Sequence, residues 1–254
     1  MIFVSHSSIS NSLLSSDLLL SIIEKQAFGV EYQPIIALDN QEIFAYEALS
    51  RFFNDNQQPI RPDLVFAALH DSPLTLHQVE LAQKKLQLAN APSGKRLFIN
   101  LDQDSYFQGQ QGIDADSTNT YVTLFKQFTN ELVVELIENS EINDAKMSLQ
   151  MIKSMANHQI KTALDDVCNE HSMLSTMVLE RVDYIKLDRL VVQNKKNNSF
   201  LLLVNALVGY AKQAEKAVIL EGIETPEDLE FARSLGVTYV QGFLFKDKFI
   251  KVRS

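Results

Sequence analysis

From Arg96 to Phe243 the sequence alternates short apolar runs with segments of helical periodicity. No other feature constrains the fold as tightly. The runs are Arg96–Leu101, Leu132–Ile137, a run from Ile160 to Asp166, Val182–Leu187, Ala217–Glu221 and Val237–Phe243. The intervening helices are predicted over Tyr121–Phe128, Ser140–Asn157, Ser172–Val178 and Ser199–Ala214. A last one opens at Thr225-Pro226, with Thr as cap and Pro at the first helical position, and ends near Leu235-Gly236. Strands separated by helices must be joined by crossovers, which makes them parallel. Upstream, Tyr32–Leu38 and Ile43–Leu49 flank the turn signal Asp39-Asn40, which predicts an antiparallel hairpin. Helices over Leu64–His70 and Leu74–Ala91 follow. Eight strands in a chain of 254 residues fit a (β/α)8 TIM-like barrel. A doubly wound open sheet is the rival, weakened because no Gly-rich phosphate loop follows the first strand. No repeat or linker divides the chain. The expected organisation is a flexible serine-rich segment over residues 1–16 and one barrel domain over residues 17–254, opening with a helix over Asp17–Phe28 capped by Ser16. Asp102–Thr120 is polar and expected to be weakly structured.

Composition narrows the function classes. A net charge of −9 argues against a DNA or RNA polymer as partner, but not against a small anion whose charge metal ions offset locally. The single cysteine, Cys168, allows no intrachain disulfide, which fits a reducing compartment. The N-terminus lacks the basic region of a signal peptide, and no apolar run reaches the roughly 18 residues of a membrane span. A cytoplasmic chain with no membrane association is the expectation.

In such barrels chemistry sits at the carboxyl ends of the strands. The polar residues there are Glu47, Asn100, Glu135, Asp165, Asp166, Lys186, Glu221 and Gln241, each in or next to an apolar run. One acid at a strand end is most often a solvated loop residue. Seven strands each supplying a polar group are not explained that way. A structural ion-pair network does not balance, because five carboxylates face one lysine. Carboxylates with an amide carbonyl suit Mg2+ or Mn2+, and the absence of His and Cys at these positions disfavours zinc. The five histidines, His6, His70, His77, His158 and His171, show no metal-ligand spacing. Five acids exceed the needs of one cation and suit two metals about 3.5–4 Å apart, an arrangement that activates water for displacement at phosphorus. Lys186 would orient that water or offset transition-state charge, against the plainer role of pairing with Asp183 or Asp188. The adjacent acids Asp165 and Asp166 can serve one site only if the chain turns as the strand ends, since neighbouring strand residues face opposite ways.

In this order the motifs resemble those of the EAL-domain phosphodiesterases that cleave cyclic di-GMP. The residues are Tyr32-Gln-Pro34, Glu47-Ala-Leu-Ser-Arg51, Phe98-Ile-Asn-Leu101, Val134-Glu-Leu-Ile-Glu138, Asp165-Asp166, Ile185-Lys-Leu-Asp188, Glu221-Gly-Ile-Glu-Thr225 and Gln241-Gly-Phe243. The resemblance, running from about residue 20 to 246, implies a barrel whose first strand is antiparallel to the others. It implies one metal held by Glu47, Asn100, Glu135 and Asp165. Asp165 and Asp166 would lie between the metals, and Asp166, with water-mediated help from Glu221, would hold the second. Lys186 and Gln241 would place the water, with Gln33, Leu49 and Arg51 contacting the dinucleotide and Arg51 its phosphate. The implied reaction is hydrolysis of one phosphodiester to linear pGpG, and a homodimer is implied too.

The family continues the acid pair as Asp-Asp-Phe-Gly-Thr-Gly-Tyr-Ser, where this chain has Asp165-Asp-Val-Cys-Asn-Glu-His-Ser172. Cys168 and Glu170 replace two glycines, residues that supply positive φ or close approach. Only Asn169 here tolerates such a conformation readily, so the loop is expected to hold the family geometry under strain or to take another one. Glu224, which resembles the glutamate that anchors this loop, is present. The complete ligand set favours catalysis. The rewritten loop favours the alternative, a catalytically weak or inactive domain that binds cyclic di-GMP or a regulatory protein partner.

Overall fold

The computed structural model of the chain describes residues 14–110, 119–137, 142–170 and 173–253. The first thirteen positions, most of the expected flexible segment, lie outside the described residues, as do Glu138, His171 and Ser172. The first described element is α1 (Ser16–Glu24), whose cap is Ser15 rather than Ser16; it ends at the C-cap Lys25, short of the expected Phe28, which instead begins the first strand. The hairpin β1 (Phe28–Ala37) and β2 (Ile43–Phe53) is antiparallel and extends by the short β3 (Pro59–Ile60). Then come α2 (Pro62–Leu69), α3 (Pro73–Ala89), β4 (Arg96–Asn100), α4 (Gln103–Gln108), α5 (Thr120–Phe125) and β5 (Leu132–Ile137). The second half runs α6 (Ile142–Asn157), β6 (Lys161–Val167), α7 (Thr176–Arg181), β7 (Tyr184–Leu187), α8 (Leu190–Gln193), α9 (Asn198–Gln213), β8 (Ala217–Leu220), α10 (Pro226–Leu235) and β9 (Tyr239–Val240). A 3-10 segment over Phe243–Lys248 leads into β10 (Ile250–Arg253).

Strands β2, β4, β5, β6, β7, β8 and β9 pair in parallel in that order, and β1 closes the ring by pairing antiparallel with both β2 and β9. The eight expected strands are therefore all present in a closed mixed barrel, with β3 and β10 added outside it. Two expectations need correction. The Asp102–Thr120 stretch is not wholly irregular: Asp102 accepts the Ser105 N–H and caps α4. The helix after the acid pair starts at Thr176, where the Ser175 hydroxyl accepts the Val178 N–H, rather than at Ser172.

Apolar contacts hold the barrel on both surfaces. Outward residues such as Ile99, Val134, Leu164, Ile185 and Leu220 pack against the helices in the main core. Inward, Ile35, Ala45, Phe98, Val133, Ala163, Tyr184 and Ile219 form a separate cluster with Tyr239 packed against it. That cluster is one residue per strand, a plugged floor of the kind that fills such barrels. Strand side chains alternate with period two, so the next inward layer lies two residues further along each strand. The floor is apolar, and that layer is not.

Candidate functional site

Counting two residues from each floor position gives Gln33 on the antiparallel β1, then Glu47, Asn100, Glu135, Asp165, Lys186, Glu221 and Gln241. One polar layer, set by the strand period, thus gathers eight of the expected site residues. Glu47, Glu135, Asp165, Lys186 and Gln241 are buried, and Gln33, Asn100 and Glu221 are half-buried.

The ninth, Asp166, arrives by a different device. Between β6 and β7 the register slips, with Leu164 opposite Ile185 but Val167 opposite Leu187, which leaves one extra residue on β6. Such a bulge bends a strand and redirects a side chain. Here Asp166 takes a left-handed conformation with φ 56°. The result is two groups of acids whose ligand atoms lie within 4.8 Å of one another: Glu47 with Glu135 and Asp165, and Asp165 with Asp166 and Glu221. Asp165 belongs to both. The turn demanded by two adjacent acids is thus this bulge.

Cys168 is also left-handed, with φ 73°. Asn169, the residue that tolerates this conformation readily, does not take it, so the strain expected of the loop falls on Cys168. Glu170 is not among the positive-φ residues, so only one of the two replaced glycines stood where φ > 0 is needed here. The Asn169 N–H closes the turn on the Asp166 carbonyl at 3.0 Å.

Lys186 sits at the centre. Its Nζ is 2.8 Å from Glu135 Oε1, 2.8 Å from Glu221 Oε1, 2.9 Å from Asp165 Oδ1 and 3.6 Å from Glu47 Oε1. The plainer role for Lys186 does not hold, because Asp183 accepts the Thr162 N–H and Asp188 the Leu190 N–H instead. Burial alone would lower the Lys186 pKa, but Asp165, Glu135, Glu221 and Glu47 raise it well above the usual range. One ammonium is not enough for the acids around it. Burial, only partly offset by Lys186, raises Glu135 well above its ordinary value and Glu221 to about 8. Burial and then the Asp165 charge raise Asp166 to about 7. Glu47 moves the other way: burial opposes it, but Lys186, Gln241 and Asn100 hold it below the normal range. Gln241 Nε2 donates to Glu47 Oε2 at 2.6 Å and Asn100 Nδ2 to Glu47 Oε1 at 3.1 Å. A buried, all-oxygen acid set with uncompensated negative charge suits hard divalent cations.

The site opens into a cavity of about 320 Å³ lined by Gln33, Glu47, Leu49, Asn100, Asp165, Asp166, Glu221, Glu224 and Gln241. Sequence reasoning missed four other lining residues, Arg189, Gly222, Gly242 and Phe243. Their glycines are steric necessities. A Cβ on Gly222 would fall 2.5 Å from Arg189 Cβ, and one on Gly242 would fall 2.1 Å from the Ile223 carbonyl oxygen. Glu224 is exposed, and its backbone N–H donates to Asp228 Oδ2. Arg51 lines a second cavity of about 320 Å³ between β2 and the helices α2 and α3, which shares Leu49 and Asn100 with the first. His70 is a further correction. It lies 3.4 Å from Asp102 and 3.9 Å from Asp104, a grouping that sequence spacing does not reveal.

The EAL domain family model matches residues 16–247. The chain belongs to the EAL domain family. Among curated EAL-family relatives, the probable cyclic di-GMP phosphodiesterase PdeN of Escherichia coli K12 is 25% identical over 233 residues. That match covers 89% of this chain and 44% of PdeN, so the chain spans less than half the relative's length. The EAL domain of FimX from Pseudomonas aeruginosa, solved bound to c-di-GMP, superposes with a TM-score of 0.70 at 21% identity, covering 89% of this chain and 93% of that one. The EAL-domain protein YkuI of Bacillus subtilis, solved with c-di-GMP and calcium, gives 0.73 at 19% identity, covering 93% and 58%. These superpositions establish the shared barrel. Among the described residues no helix is long and apolar enough to cross a membrane.

Proposed function

We propose that this EAL domain hydrolyses one phosphodiester of cyclic di-GMP to linear pGpG with the help of two divalent cations, Mg2+ or Mn2+. The observation that carries the reading is the pair of acid groups sharing Asp165. Glu47, Asn100, Glu135 and Asp165 would hold one cation, and Asp165, Asp166 and Glu221 the other. Bound there, the cations would neutralise the acids and supply positive charge for a phosphodiester and for deprotonation of water. The chain's own residues do the rest. Lys186, held by four carboxylates, stays positively charged at the centre of the acid layer and would offset charge developing on the phosphodiester or orient the water. Gln241 spends its amide N–H on Glu47, and its Oε1 has no hydrogen-bond partner among the described residues, which leaves an acceptor for the nucleophilic water. Gln33, Leu49 and Arg51 line the approach, with Arg51 suited to a phosphate oxygen. Glu224 would anchor the loop after Asp166. Relatives and neighbours named for cyclic di-GMP support this choice of substrate.

One observation favours a second reading, a domain that binds the dinucleotide or a protein partner without turnover. Cys168 holds a left-handed conformation that glycine adopts without strain, directly beside the second acid group. Turnover separates the readings. Purified protein with cyclic di-GMP and either metal should yield pGpG by chromatography, and Glu47→Ala should abolish it. Saturable binding with no product in either metal would sink the enzymatic reading.

A further inference from the structure

One inward layer above the acids, two residues from Gln33 on β1, stands Glu31. It is 6% exposed, lies opposite Leu49 on β2, and faces Lys251 on β10. Both of its oxygens are engaged. Oε1 accepts from Gln33 Nε2 at 3.0 Å and from Arg51 Nη2 at 2.8 Å, and Oε2 lies 2.9 Å from Lys251 Nζ. Arg51 has a second anchor, Nη1 donating to the Ser50 carbonyl at 2.8 Å. One carboxylate oxygen therefore ties together the two polar side chains assigned above to the dinucleotide, and the last strand of the chain holds the other oxygen. Burial disfavours a charge here, yet hydrogen bonds from Lys251, Gln33 and Arg51 keep the Glu31 carboxyl below its usual range, so it is ionised at neutral pH.

We infer that Glu31 is the positioning residue of the dinucleotide site, fixing Gln33 and Arg51 in their binding conformations before ligand arrives. This rests on the reading of the site given above. A guanidinium and an amide held in place lose little freedom when they engage a ligand, whereas free side chains must be ordered at binding. The single negative charge does not cancel the basic character of the rim, because it is shared between Arg51 and Lys251. The alternative for such a pair is obstruction, with Glu31 occupying the guanidinium that the phosphate needs. The two roles predict opposite signs.

The test compares Glu31→Ala and Glu31→Gln with the wild type, by calorimetric binding of cyclic di-GMP in Ca2+ and by steady-state hydrolysis in Mn2+. Positioning predicts that Glu31→Ala weakens binding and raises KM about tenfold, the cost of ordering two side chains, while kcat is kept. Glu31→Gln, which keeps the acceptor oxygen, should restore affinity to within about threefold of wild type, since one oxygen still serves both donors. Tighter binding by both variants would overturn the inference in favour of obstruction. Equal loss in both, or a fall in kcat alone, would also overturn it, the first because charge rather than positioning would matter. Thermal unfolding of each variant checks that the fold persists; should Glu31→Ala misfold, Glu31→Leu, which keeps the bulk and removes both acceptor oxygens, takes its place with the same expected loss. A wild-type protein that binds no cyclic di-GMP would refute the proposed function itself, whereas wild-type binding with unchanged Glu31→Ala affinity would refute only the role of Glu31.

Discussion

Replacing Cys168 by Gly and by Ala probes the rewritten loop with opposite expected signs at neighbouring positions. Cys168 has φ 73° and packs half-buried against the main core, so both variants lose the same thiol contact. They differ in backbone preference. A non-glycine residue in the left-handed region costs about 1–2 kcal/mol, which glycine escapes. Glycine's freer unfolded chain costs about 0.4–1 kcal/mol relative to alanine. The difference leaves Cys168→Gly more stable than Cys168→Ala by about 0.5–1 kcal/mol. For a chain of this size that is about 1–4 °C in Tm, at roughly 2–4 °C per kcal/mol. At Glu170, where φ is not positive, only the unfolded-state term acts, and Glu170→Ala should exceed Glu170→Gly by about 0.4–1 kcal/mol. Calorimetric and urea unfolding of the four variants reads both differences. If alanine is the more stable residue at 168, the left-handed turn there is wrong, and with it the account of how the second acid group is oriented. If the account is right, Cys168→Gly also raises turnover while Glu170→Gly does not.

Four further outcomes are expected. Lys186→Met removes the only cation in contact with four carboxylates among the described residues and should destabilise the metal-free protein by about 3–5 kcal/mol, with added Mn2+ recovering part of the loss in a thermal melt. Gly242→Ala drives a Cβ into the Ile223 backbone and should cost about 1–3 kcal/mol or more, read by urea unfolding, with Gln241 displaced and hydrolysis lost. Because the Asp166 and Glu221 pKa values are raised to about 7 and about 8, protons compete with cations below those values. Mn2+ affinity by calorimetry should therefore rise at least about tenfold from pH 6 to pH 8, and a flat profile would contradict the assignment. Asp228 accepts from the Thr225 hydroxyl and N–H and from Lys195, which outweigh burial and lower its pKa. Its stabilisation is present above the unfolded value of about 3.9 and lost as pH falls through the lower folded one. Asp228→Asn should cost about 1–2 kcal/mol at pH 7, with the gap to wild type closing at acid pH.

The barrel was legible because its evidence is periodic. Eight apolar runs with helices between most of them leave few topologies, and the polar layer is visible as one polar residue near the end of each run. What escaped lies where periodicity is silent. The strands β3 and β10 are short and owe their form to pairing with β2 and β1. The helix α4 is six residues long and depends on the Asp102 cap inside a polar stretch. Intrinsic preference favours Asn169 for the left-handed region, but positive φ falls at Asp166 and Cys168 beside the bulge, where tertiary pairing overrides preference. Glu31 follows from the same alternation that yields Gln33, but it lies just before the tyrosine that opens the Tyr32-Gln-Pro34 motif, which carries no signal for it. The grouping of His70 with Asp102 and Asp104 joins the end of α2 to the start of α4 and has no signature in spacing.

The central claim is that one bulge turns two neighbouring acids into a shared edge between two cation sites. Mn2+ binding followed by electron paramagnetic resonance in the presence of cyclic di-GMP tests it most directly. Two spin-coupled Mn2+ per chain are expected for the wild type, and one uncoupled ion for Asp166→Asn, which keeps the first acid group intact. A single uncoupled ion in the wild type, or an unchanged coupled pair in Asp166→Asn, would contradict the account.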